Sequence, residues 1–275
     1  MATRWKFEGT NPIVGYTVGF EIAGILSPDA LLQISALGPS LAKDLPRKVD
    51  QQAVTFQMGS SSPIPVRSIG GVVFDELARD GTVLKQLVVT PNSVTYRTAR
   101  YERWLEYWPT AERLLNQIAD VVLRHAGISG FVINAANKFT LTGDQSSLPF
   151  DELIRPGCEF IAPNLLGKKG PCHCFYGFMI ESSDPPGRRI DNVNFSVGAK
   201  PENVESNWVD LIINLRLVLN NPITERGPLF GKGVDALPHR PASDVLERMH
   251  AANNDLFAGI LTKDLCDIIP GISPL

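Results

Sequence analysis

The sequence predicts an α+β fold in which antiparallel sheets are each packed by a long helix, on the plan of a duplicated helix-on-sheet unit. Three observations lead there. Residues 209–219 alternate strictly: Val209, Leu211, Ile213, Leu215, Leu217 and Leu219 fall on one side, and Asp210, Asn214 and Arg216 on the other. Short β-branched runs around residues 70–99 are separated by Asp80-Gly81 and Pro91-Asn92-Ser93, tight-turn chemistry that pairs neighbouring strands antiparallel. Two long stretches, about 110–126 and 243–261, carry apolar residues at helical spacing instead.

In chain order, Asn11-Pro12 opens a first strand, Ile13 to Ile22, rich in β-branched and aromatic residues and interrupted by Gly15 and Gly19. Ser27-Pro28-Asp29 starts a helix, because Ser27 can accept from free backbone N–H groups and proline loses nothing at the first helical position. Leu31, Ile34 and Leu37 form its stripe, Gly38-Pro39 ends it, and Ser40 to Leu45 adds a turn. Strands are expected at about 52–58, 70–77, 82–90 and 93–99. A long helix follows, ending near residue 126 before Gly127, with Ala111, Leu114, Leu115, Ile118, Val121 and Val122 on one stripe and His125 continuing it. Pro109 either kinks this helix or begins it.

The second half repeats the order: a strand at 129–142, a helical turn near Phe150–Ile154, strands at 172–182, 189–198 and 207–219, and a closing helix opened by Ser243 or Asp244. Leu246, Met249, Asn253, Leu256 and Ile260 repeat along that helix, and Thr262 starts a short one, Lys263 to Ile268. The loop 220–242 is rich in Pro and Gly and is read as a mobile or binding loop. The expected halves are residues 1–128 and 129–275, within one compact domain.

Composition narrows the function classes. The chain has 275 residues, 44% of them hydrophobic and 20% charged, which is ordinary globular usage. Residues 1–126 carry 13 Lys and Arg against 12 Asp and Glu, and residues 127–275 carry 13 against 17. Neither half has the basic excess that a grip on nucleic acid needs, so nucleic acid is not an expected partner. No stretch approaches the roughly 18 apolar residues of a membrane span. No signal-type apolar run follows Met1-Ala2-Thr3-Arg4-Trp5, and the four cysteines form no disulfide framework, so a cytoplasmic location is expected.

At this point a resemblance emerges. Phe74-Asp75-Glu76, Asp80-Gly81, Leu87-Val88-Val89 and then Tyr101-Glu102-Arg103-Trp104-Leu105-Glu106 resemble the central signature of a sporadically distributed family of bacterial proteins of unknown function, of about this length. Leu105 stands where that family often has an acidic residue, and Glu106 comes one later. Val132-Ile133-Asn134 resembles its Tyr-x-Asn strand with the aromatic replaced, and the run Leu246, Met249-His250, Asn253-Asn254-Asp255-Leu256-Phe257, Leu261-Thr262 is similar to its closing helix. The resemblance implies no accepted catalytic residue. It implies a bacterial cytoplasmic accessory protein acting with a partner encoded nearby, and the sporadic distribution suggests a defence or toxin-linked system.

Residues that could carry chemistry each have a plainer reading. Cys172-His173-Cys174, with Cys158 upstream, is the densest set of soft ligands, but on a strand Cys172 and Cys174 point one way and His173 the other, so one metal ion cannot easily use all three. Buried cysteines are the favoured alternative, and no cofactor or metal is expected. Gly167-Lys168-Lys169-Gly170 and Gly231-Lys232-Gly233 could cradle phosphate, yet neither is a Walker motif, and solvated turns explain them. His125, His173, His239 and His250 come without a nucleophile elbow. Arg97 and Arg100 with Tyr101, Trp104 and Trp108 mix cations and aromatics. Such a set can stack bases or, as preferred here, cover aromatic faces and mark a protein-binding surface. The leading expectation is a non-catalytic binding or assembly protein, engaging a protein partner or itself. A small-ligand module of helix-grip type, and an enzyme using the Cys172/Cys174 region, are the alternatives.

Overall fold

The computed structural model describes residues 5–8, 12–58, 63–143, 150–161, 164, 171–200, 203–231 and 242–269. The expected segments at Lys168, Lys169, Lys232, Gly233 and His239 lie outside the described residues.

Ten antiparallel strands build one sheet. They are β1 (Trp5–Glu8), β2 (Ile13–Ala23), β3 (Arg47–Met58), β4 (Pro63–Leu77), β5 (Val83–Val89), β6 (Ser93–Thr98), β7 (Gly127–Gly143), β8 (Cys172–Ser183), β9 (Pro186–Lys200) and β10 (Asn203–Ile223). The helices are α1 (Pro28–Ser35), α2 (Gly38–Leu41), α3 (Trp104–His125), α4 (Phe150–Leu153), α5 (Ala242–Ile260) and α6 (Lys263–Ile268). No described helix is long and apolar enough to cross a membrane.

The strand order is β3-β4-β5-β6-β2-β7-β10-β9-β8, and β1 pairs with the far end of β7. Within each half, the last strand of a meander returns beside the first strand: β6 beside β2, and β10 beside β7. The expectation of a separate sheet in each half is corrected by β2 and β7, which pair with each other from Ile13 opposite Asn137 to Ala23 opposite Gly127. Each of these strands is flanked on its other side by its own meander, so its remaining edge offers unsatisfied N–H and C=O groups to the other.

Local chemistry accounts for the elements. Ser27 Oγ accepts from the Ala30 N–H at 3.2 Å, as the cap reading requires. Gly38-Pro39 does more than end α1: it lies at the start of α2, where proline's missing N–H costs nothing. Gly81 takes φ +85°, and Asp80 Oδ1 accepts from the Thr82 N–H at 2.9 Å. That bond holds the Asp80 carboxyl below its usual range. Pro109 lies inside α3, five residues after its start.

The sheet's helix side is apolar. Tyr16, Val18 and Phe20 of β2, Phe131, Ile133 and Ala135 of β7, and Leu211, Ile213 and Leu215 of β10 are buried there beneath α3 and α5. On the opposite side the register lines up Asn192, Asn214, Asn134, Thr17, Arg97 and Gln86 in one polar row across β9, β10, β7, β2, β6 and β5. This is the in-and-out alternation of a sheet with one buried face.

Gly19 sits where β2 passes β6, and a Cβ there would collide with the Val94 carbonyl oxygen. Gly19→Ala is expected to lower stability by about 2–3 kcal/mol in urea unfolding, as overpacking does. Gly259→Ala, in α5 with open space around the added atom, is expected to be neutral or stabilising by up to about 1 kcal/mol.

Candidate functional site

The densest constellation of polar and aromatic side chains lies where α3 and α5 meet over β2. Helical spacing places Trp104 and Trp108 one turn apart on α3, where their rings stack at 5.1 Å and 8°. His250 of α5 stacks on the other face of the column, 4.4 Å from Trp104 and 9° from parallel. Phe230 closes the far end edge-on to Trp108 at 5.6 Å. Beneath the column, Tyr16 stacks on Tyr101 at 4.2 Å, and Tyr96 stacks on Tyr107 at 5.4 Å. The Tyr107 hydroxyl donates to the Tyr96 carbonyl at 2.9 Å.

One hydrogen bond ties α5 to β2: Tyr16 Oη lies 2.8 Å from His250 Nδ1. Burial pushes the Tyr16 phenol well up, and burial pushes His250 down to about 4. The bond therefore joins a neutral phenol to a neutral imidazole. Asn254, one turn along α5, lies 3.3 Å from the other ring nitrogen. The hydrogen bonds described for this pair run between Tyr16, His250 and Asn254, and they tie α5 to the sheet.

The described part of the Pro- and Gly-rich loop, residues 224–231, is tied to α3 and α5, and the rest of it lies outside the described residues. Leu229 and Phe230 are buried, and Asn116 of α3 holds their backbone. Its Oδ1 accepts from both N–H groups at 3.0 and 2.9 Å, and its Nδ2 donates to the Phe230 carbonyl at 3.1 Å. Ser243 Oγ accepts from the Gly231 N–H at 2.8 Å and donates to Glu112 at 3.0 Å, anchoring the start of α5.

The expected binding residues do not form one surface. Tyr101 and Trp108 are buried, and Trp104 is half-buried. Arg97 and Arg100 are exposed, and Arg97 belongs to the polar row on the opposite side of the sheet. Leu105 is the exposed apolar residue at this junction.

The cysteine cluster has the geometry the strand reading required. Cys172 and Cys174 face one side with their sulfurs 3.4 Å apart, while His173 faces the other and bonds Ser196 Oγ at 2.7 Å. Burial and the neighbouring thiol push Cys172 up to about 11, and burial raises Cys158 and Cys266. These shifts favour the protonated thiol, which is the poorer nucleophile. Among the described residues, no three His, Cys, Asp or Glu side chains come together as a metal cluster.

Two recesses border α5. One, of about 270 Å³, is lined by Arg155, Leu261, Thr262 and Cys266 among others. The other, of about 190 Å³, lies between α5 and the ends of β8 and β9, where Arg248 faces Asp184 at 4.0 Å and Arg189 bonds buried Asp191 at 2.8 Å. Both fall below the roughly 300–1,000 Å³ of small-molecule sites.

Three of the exposed large apolar side chains lie together in sequence on the edge strand β8. Phe175 is 65% exposed, Met179 72% and Ile180 45%. Sequence reading placed this strand and missed its exposure, because alternation shows which residues share a face and not whether that face is covered.

His250 makes stability depend on pH. Its folded pKa, about 4, lies below the ordinary 6.5, so the unfolded chain binds the proton more tightly. The contribution is complete above pH 6.5 and is lost as pH falls toward 4. Urea unfolding should show His250→Phe, which keeps the stack on Trp104, removing about 2 kcal/mol of the wild-type loss between pH 7 and pH 5.

No protein-family model matches the chain, and no curated protein matches it.

Proposed function

We propose that this protein is a non-catalytic binding and assembly protein whose partner surface is the β8 edge of the sheet. The observation that carries the reading is the exposure of Phe175 and Met179 on one face of a strand whose described pairing is to β9 alone. Large apolar side chains clustered on an open sheet edge mark a contact surface in a folded protein. The catalytic alternative has less behind it. The shift at Cys172 favours the thiol, and the hydrogen bonds described for the buried His250–Tyr16 pair tie α5 to the sheet. The ligand alternative has the recesses beside α5 behind it, and both are smaller than the usual small-molecule site. The bacterial accessory role implied by the resemblance belongs to the same proposal, with the assembly as its working form.

We also infer that the two halves descend from one unit. Each runs strand, helical connection, meander and long helix, with the first strand beside the last. The Trp104–His250 stack would then join the long helices of the two copies.

Native mass spectrometry of the protein isolated gently from its own host tests the binding reading. An assembly mass is expected for the wild type, and the bare chain for a Phe175→Ser/Met179→Ser variant. A wild type that travels as the bare 30.1 kDa chain at all concentrations contradicts it.

A further inference from the structure

The occupant of the β8 edge can be read from the edge itself. We infer that a second copy of this chain pairs with it, β8 against β8, antiparallel about a two-fold axis at Gly177. This rests on the binding reading above and names its partner.

The two outer edges of the sheet differ. β3 begins Arg47-Lys48, carries Asp50, and has a register shift between Gln51 and Gln52. Charges and a bulge are the usual protection of an edge strand against pairing. β8 has neither. Its register with β9 runs unbroken from Cys172 to Ser183, and residues 174–180, Cys-Phe-Tyr-Gly-Phe-Met-Ile, contain no charge and no proline. An uncharged β-prone segment with exposed Phe175 and Met179 is an aggregation hazard unless something defined covers it.

The strand is also complementary to itself. Antiparallel pairing centred on Gly177 sets residues whose numbers lie equally far on either side opposite each other. On the outer face, Phe175 meets the partner's Met179, an aromatic–thioether contact. His173 meets the partner's Glu181, a base opposite an acid, and Gly177 meets Gly177 with no side chain to keep the backbones apart. On the helix side, Tyr176 meets the partner's Phe178, and Cys174 meets the partner's Ile180. Each contact away from the axis occurs twice, as a closed two-fold interface requires. No other centre on the strand opposes both Phe175 to Met179 and His173 to Glu181. The two sheets would run into one another without a break, which ends growth at two copies because the remaining outer edges are the protected β3 strands.

Sedimentation velocity of the pure full-length protein, free of any other protein, tests this. The wild type is expected to pass from monomer to dimer over the range of about 1–100 µM, as a small interface does. His173→Glu places like charges at both ends of the interface and is expected to weaken dimerisation at least about tenfold. Adding Glu181→Lys restores opposite charges in this register only, so the double variant should recover the dimer. Both positions are exposed, and circular dichroism checks that folding is unchanged. A monomer throughout the range, or a dimer indifferent to His173→Glu, overturns the second-copy assignment. A double variant that fails to recover overturns the register. Native mass spectrometry separates the two readings: a mass from a different protein on β8 would leave the binding role standing and remove the second copy.

Discussion

The pairing of β2 with β7 is the constraint on which the rest of the structure depends. Without it, each half would expose the edge of its first strand, and the polar row from Asn192 to Gln86 would be cut between Asn134 and Thr17. With it, the strands from β4 across to β9 share one apolar face, and the two long helices lie close enough for His250 to reach both Trp104 and Tyr16. Close passage on the other flank of each of these two strands, β2 against β6 and β7 against β10, explains two of the glycines. A Cβ on Gly19 would strike the Val94 carbonyl oxygen, and one on Gly130 would strike the Leu217 carbonyl oxygen.

The helix layer is fastened to that sheet by a few polar groups in apolar surroundings. Tyr16 to His250 joins β2 to α5, Tyr107 to Tyr96 joins α3 to β6, and Asn116 clasps the backbone at Leu229 and Phe230. Buried polar groups of this kind cost stability if left alone and specify one arrangement when each finds its partner. The aromatic column from His250 through Trp104 and Trp108 to Phe230 fills the space between the helices, which is why this region is a joint and not a pocket.

Much of this was legible in the residues, and what was missed has physical causes. The alternation of β10 is explicit because one face is buried along its length. Ser27-Pro28 and Asp80-Gly81 announce themselves through local hydrogen bonding and positive φ. β3 begins at Arg47, five residues before the expected start, because an edge strand carries charges that disguise its pattern. The joining of the two halves was invisible, since pairing between strands more than a hundred residues apart leaves no local signal. His250 lies on a helix that the sequence predicts, but its bond to Tyr16 spans 234 positions and leaves no local signal. Burial is hidden in the same way: Tyr101 and Trp108 look like contact residues in sequence and are buried in the fold, while Phe175 and Met179 look like ordinary strand residues and are exposed.

Native-state hydrogen exchange tests the central claim most directly. If β2 and β7 form the seam of one cooperative sheet, their amides from Val18 to Phe20 and from Phe131 to Ile133 should be among the slowest to exchange, opening only with global unfolding and with one free energy for both halves. Exchange of β2 and β7 well below the global free energy, with the two meanders opening independently, would contradict a single sheet held at its centre.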